Sequence, residues 1–143
     1  MFKKSPTLEW GFSWLINVMA SIKIKDFFNG RFFEIPKYQR GYAWEVSNIR
    51  DLFDDIKESI ESSSNHYIGT IVLSKAEDDE EKFYIVDGQQ RMTTISLIIN
   101  SLISKLSEKD RFFYERFYLK EDDRYRMLPI ETKAFLNKFL RTF

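Results

Sequence analysis

The chain has 143 residues, enough for one domain with a sizeable core and too few for two. It has no cysteine and one histidine, which excludes disulfides, thiol catalysis, iron–sulfur clusters and thiolate zinc sites and leaves little for a transition-metal centre. Twenty-two basic residues balance twenty-two acidic ones, so no global positive field attracts nucleic acid, and any DNA contact must be local or supplied by another domain.

No run reaches the roughly 18 apolar residues of a membrane span. Residues 1–20 contain an apolar stretch, Trp10 to Ala20, interrupted by Asn17, and are expected to be an N-terminal extension or an amphipathic helix rather than a secretory signal. The organised domain is expected over 21–143. Ile22, Ile24, Phe27 and Phe28 predict a short helix stopped at Asn29-Gly30. Residues 31–35, RFFEI, predict a strand that ends at Pro36, which has no amide to give to a ladder. Ile49, Leu52, Phe53, Ile56 and Ile60 then recur at helical spacing, with Ser47 as the expected N-cap.

After the loop ESSSN, residues 67–73, YIGTIVL, predict a buried strand, and residues 82–86, KFYIV, its neighbour. The acidic run AEDDEE at 76–81 between them is expected to be a solvated hairpin tip rather than a metal site. From Gln89 the helical period returns, with Met92, Ile95, Ile99, Leu102 and Leu106 on one face and Ile98 and Ile103 beside them. Residues 111–126 mix aromatics with charges, and Thr132 to Leu140 predict a last helix. The fold class is therefore α+β, a small mixed sheet packed with helices and more helical toward the C-terminus. An end at Phe143 without cap or tail suggests a piece of a longer protein.

Chemistry concentrates where the strand FYIV runs through Asp87, Gly88, Gln89, Gln90 and Arg91 into the long helix. A glycine turn, free amides at a helix start and a guanidinium fork suit a phosphate-like anion, and Asp87 is placed to hold magnesium or orient water. The competing reading of the same residues is an Asp N-cap with solvated glutamines and an ion-paired arginine. A second stretch, EIPKYQRGYAW at 34–44, puts Gln39 and Arg40 among Tyr38, Tyr42 and Trp44, rings that either stack on a base or pack the loop. His66 is expected to make a structural hydrogen bond.

These motifs occur in a recognisable order: I-P-x-Y-Q-R-x-Y-x-W at 35–44, D-D-I at 54–56, H-Y-I-G-T-I-V-L at 66–73 and Y-x-V-D-G-Q-Q-R-x-T-T at 84–94. Together they resemble the N-terminal domain of GmrSD-type restriction endonucleases, within the ParB/sulfiredoxin-like superfamily. The resemblance covers residues 21–107 and extends more weakly over 112–140. It implies a ParB-like mixed sheet in a cytoplasmic bacterial or phage-related defence protein whose domain binds a nucleoside triphosphate with Mg2+, with hydrolysis as a further activity open to it. Carried over position by position, Asp87, Gln89, Gln90 and Arg91 would be catalytic, with Asp87 also the metal ligand. Gly88 and Arg91, with Gln39, Arg40, Tyr38, Tyr42 and Trp44, would bind the nucleotide. In the relatives a downstream HNH-type nuclease cuts foreign or modified DNA; a 143-residue chain with one histidine does not contain such a nuclease, so DNA is expected as a partner only through a downstream or partner domain. The alternative is a non-catalytic DNA-sensing or protein-interaction module using the same groove. Oligomeric state is not legible.

Overall fold

The computed structural model describes residues 22–128; the apolar stretch near the N-terminus and the helix expected over 132–140 lie outside the described residues. The first helix, α1 (Ile24–Phe28), buries Phe27 and Phe28 and is followed by Gly30 at φ +65, the left-handed conformation that ends short helices. The chain then enters β1 (Phe32–Glu34). Alternation separates its two faces. Phe33 joins the core, stacked on Phe27 at 4.2 Å and edge-on to Phe28 at 5.8 Å, whereas Phe32 lies beneath the guanidinium of Arg124, 3.7 Å from the ring centroid.

Helix α2 (Val46–Glu61) starts one residue before Ser47, and the N-cap is Glu45. The reason is a reciprocal pairing: Asn48 Oδ1, three residues on, accepts from the Glu45 amide at 3.0 Å, which Ser47 cannot match. Ile49 and Leu52 are buried, but Ile60, expected on the same stripe, is 73% exposed because the last turn runs past the core.

The apolar run 67–73 departs most from expectation. Strand β2 spans Val72–Lys75, so Tyr67 to Ile71 is not strand. Gly69 sits at φ +99, incompatible with a pleated strand, so the run joins the sheet only beyond it. β2 pairs antiparallel with β3 (Lys82–Asp87), closing the expected hairpin. Its acidic tip is not simply solvated: Asp79 accepts from the Glu81 amide at 2.9 Å and forms an ion pair with Arg124.

Helix α3 (Gln89–Ile103) follows after one residue, Gly88. Its first half is buried on several sides, through Gln90, Met92, Thr93, Thr94, Ile95, Leu97 and Ile98. Ile103 is buried near its end, whereas Leu102 and Leu106 are exposed, so the single stripe expected from the periodicity holds only as far as Ile99. A helix wedged among several elements buries more than one face. Helix α4 (Glu108–Tyr118) packs against α3 and is N-capped by Ser107, whose Oγ donates to Asp110 Oδ2 at 2.7 Å. A two-residue hairpin, β4 (Lys120–Glu121) and β5 (Arg124–Tyr125), leads to β6 (Met127–Leu128), which lies parallel to β1. The sheet order is β2-β3-β1-β6, with β1 parallel to both neighbours. It is a small mixed sheet with helices, as the composition and periodicity indicated. Phe27, Phe28, Phe33, Leu52, Ile85, Met92, Ile95 and Met127 form the main core.

Candidate functional site

The end of β3 delivers the motif to the start of α3. Gly88 is the N-cap at φ +85, and the amide of Met92 is the first to bond back, to the Gly88 carbonyl at 3.0 Å. Among the described residues the amides of Gln89, Gln90 and Arg91 have no acceptor, as expected of an uncapped first turn. Asp87 ends the strand, is exposed, and makes no side-chain hydrogen bond or ion pair among the described residues. It does not cap the helix.

The two glutamines turn away from solvent. Gln89 Nε2 donates to Gln39 Oε1 at 3.0 Å, and Gln39 Nε2 donates to the Val86 carbonyl at 2.8 Å. Gln90 is 7% exposed; its Oε1 accepts from the Ala43 amide at 2.7 Å and its Nε2 donates to the Gly41 carbonyl at 3.1 Å. The loop 36–44 is therefore tied to the helix start by three glutamine amides, and the two motifs, about fifty residues apart, share one location. Thr94 gives its single proton to the Gln90 carbonyl at 2.8 Å, so the Tyr42 hydroxyl must donate in the 2.7 Å contact with Thr94 Oγ1. Burial pushes the Tyr42 hydroxyl above its usual range, with the Thr94 bond opposing.

The alternative of a capped turn with solvated glutamines and an ion-paired arginine thus fails in each part. Arg91 has no carboxylate partner among the described residues; its one hydrogen bond is a long one, Nη1 to the Thr70 carbonyl at 3.4 Å. It is turned toward the Gly69–Thr70 segment. Arg40 is exposed and has no hydrogen bond or ion pair among the described residues, so the structure brings Gln39 to the turn without tying Arg40 to it. Of the three aromatics, Trp44 packs against the core, Tyr42 is held by Thr94, and Tyr38 is 81% exposed with its ring free to stack.

Sequence reasoning missed Gly69, Thr70 and Ile71. A Cβ on Gly88 would stand 2.4 Å from Ile71 Cδ1 and 3.2 Å from the Thr70 carbonyl oxygen, so this segment lies directly on the turn. The available signal was a glycine inside an otherwise strand-like run, which marks a bulge or a close backbone approach. His66, on the same segment, faces α2 instead, its Nε2 3.4 Å from Asp55 Oδ2.

No group of three or more acidic, histidine or cysteine side chains among the described residues is arranged to hold a metal ion. A cleft of about 290 Å³ opens elsewhere, near the beginnings of β1 and β3, where Glu34, Asp79, Lys82 and Arg124 contribute to its lining. Its cations are already neutralised, Lys82 by Glu34 at 2.7 Å and Arg124 by Asp79, so it is a poor phosphate site despite its concavity. No helix of the described residues is long and apolar enough to cross a membrane.

Comparison with curated proteins finds no match. A family model described as the GmrSD restriction endonuclease, N-terminal domain, matches residues 24–142, taking in the loop 36–44, the 66–73 segment and the β3–α3 turn together. The chain belongs to the GmrSD restriction endonuclease N-terminal domain family.

Proposed function

We propose that this is a nucleoside-triphosphate-binding regulatory domain of a modification-dependent restriction system, acting in the cytoplasm in phage defence. The observation that carries the reading is Arg91: a guanidinium with no carboxylate partner among the described residues, on the first turn of a helix whose leading amides have no acceptor there. Backbone amides and a helix dipole favour negative charge, and the planar guanidinium matches phosphate oxygens in pairs. Tyr38 offers an exposed ring for the base, and Arg40 an exposed charge on the adjoining loop.

Magnesium commonly reaches such sites with the nucleotide, held by one or two carboxylates plus phosphate oxygens. Asp87 fits that requirement, being exposed and uncommitted to any protein partner among the described residues, and a metal there would supply charge neutralisation on the phosphates. The chain's own residues divide the remaining work. Arg91 and the amides of Gln89 to Arg91 bind, while Gln39, Gln89 and Gln90 hold the loop and the helix start in register. Gln90 has both ends of its amide occupied, so we assign it to positioning rather than to water activation. With Asp87 the single carboxylate of the motif, hydrolysis by this chain alone is expected to be slow or absent.

Titrating wild type and Arg91→Ala with GTP and ATP in Mg2+, with phosphate release followed in parallel, tests the reading. Arg91→Ala should weaken binding by about 1.5–3 kcal/mol, the range for a hydrogen bond to a charged group, and leave unfolding nearly unchanged because one 3.4 Å bond is lost. Equal affinities would remove Arg91 from the site. Competition by a short DNA duplex in place of nucleotide would favour a DNA-sensing module.

A further inference from the structure

The backbone laid across the start of α3 contains Gly69, outside the D-G-Q-Q-R motif, and its geometry bears on Arg91. Gly69 has φ +99, and an added Cβ there would stand 2.7 Å from both Cζ and Nη1 of Arg91 and 3.0 Å from Nη2. All three atoms are the head of one side chain. Next to it the Thr70 carbonyl accepts from Arg91 Nη1, and the Thr70 hydroxyl is joined to the Tyr67 hydroxyl at 2.7 Å, which braces the segment. The guanidinium is thus located by a bare backbone surface and a carbonyl dipole rather than by a carboxylate. That difference matters electrostatically: a carboxylate would orient Arg91 but cancel the charge a phosphate needs, whereas a carbonyl orients it and leaves the full positive charge.

We propose that Gly69 is a positioning residue of the nucleotide site, its missing side chain forming the seat that holds the Arg91 guanidinium where its remaining donors can take a phosphate. The inference rests on the phosphate reading above and adds to it a residue outside both site motifs. Gly30 provides a control for backbone strain. It too is left-handed, at φ +65, but an added Cβ there meets nothing within 4 Å. Gly30→Ala therefore carries the conformational penalty without displacing a side chain.

Wild type, Gly69→Ala, Gly30→Ala, Arg91→Ala and the Gly69→Ala/Arg91→Ala double variant are to be titrated with GTP and ATP in Mg2+. Urea unfolding is measured for each, and the Arg91 Nε–H resonance is followed by 15N NMR without nucleotide. Both glycine variants should lose stability, but only Gly69→Ala should move the Arg91 resonance and weaken nucleotide binding, by about 10- to 100-fold. The double variant should bind no more weakly than Arg91→Ala, since the two changes remove one interaction. Wild-type affinity in Gly69→Ala, additive losses in the double variant, or an unmoved Arg91 resonance overturns the proposal. If Gly69→Ala does not fold, Tyr67→Phe loosens the same segment at a ring that is 73% exposed, and an affinity equal to wild type there overturns it as well. Failure of the wild type to bind either nucleotide sinks the phosphate reading instead, and the resonance arm alone then decides whether Gly69 seats Arg91.

Discussion

Replacing Gln90 by methionine distinguishes a residue that holds the site together from one that takes part in chemistry. Methionine nearly preserves the volume of the buried side chain, so little cavity forms, but both hydrogen bonds to the loop are lost, to the Ala43 amide at 2.7 Å and the Gly41 carbonyl at 3.1 Å. Each is worth about 0.5–1.5 kcal/mol net. Gly41 and Ala43 are exposed while the two bonds are part-buried, so the released groups are partly rehydrated and the further penalty for leaving them unpaired is kept small. The expected loss is therefore about 1–3 kcal/mol, or about 3–10 °C in Tm for a domain of this size. Urea unfolding measures the loss, and amide hydrogen exchange at Ala43 reports whether the loop has been released. Unchanged stability with the Ala43 amide still protected would refute the structural assignment. A variant that keeps its stability but loses nucleotide affinity would return Gln90 to the ligand-contacting role that the motif implies.

Two pH dependences follow from the perturbed groups. Burial holds the Tyr42 hydroxyl above 10.0, so its contribution is complete below that pH and is lost as pH rises through the higher folded value. Tyr42→Phe should cost about 0.5–1.5 kcal/mol at neutral pH through the Thr94 bond and flatten the alkaline limb; parallel losses above pH 10 in urea melts of both proteins would contradict this. The Glu81 amide, and after it Arg124, hold the Asp79 carboxyl below 3.8, so its contribution is present above that value and lost as pH falls through the lower folded one. Asp79→Asn should therefore show a shallower acid limb than wild type, and identical limbs would remove Asp79 from the hairpin tip's stabilisation.

Local patterning alone specified α1, β1, most of α2 and the β3–α3 junction, because hydrophobic period, a proline stop and a glycine turn act within a few residues of themselves. The joint location of the 35–44 and 84–94 motifs was legible for a related reason: each leaves an apolar strand, and β1 and β3 proved to be parallel neighbours, so both loops emerge at the same sheet edge. Three things were decided only by the tertiary structure. The run YIGTIVL has strand composition throughout, yet it leaves the pleated conformation at Gly69, where a close approach to Gly88 and Arg91 competes with sheet pairing, a competition between segments about twenty residues apart. The two-residue strand β6 pairs with β1 across more than ninety residues, and such a short segment carries no period of its own. Which side chains of Asp87–Arg91 are tied into the fold was likewise hidden. Residue type gives Gln90 and Arg91 hydrogen-bonding capacity, but only the packing of loop 36–44 against α3 consumes that of Gln90 while the bare Cα of Gly69 and a carbonyl leave Arg91 its charge.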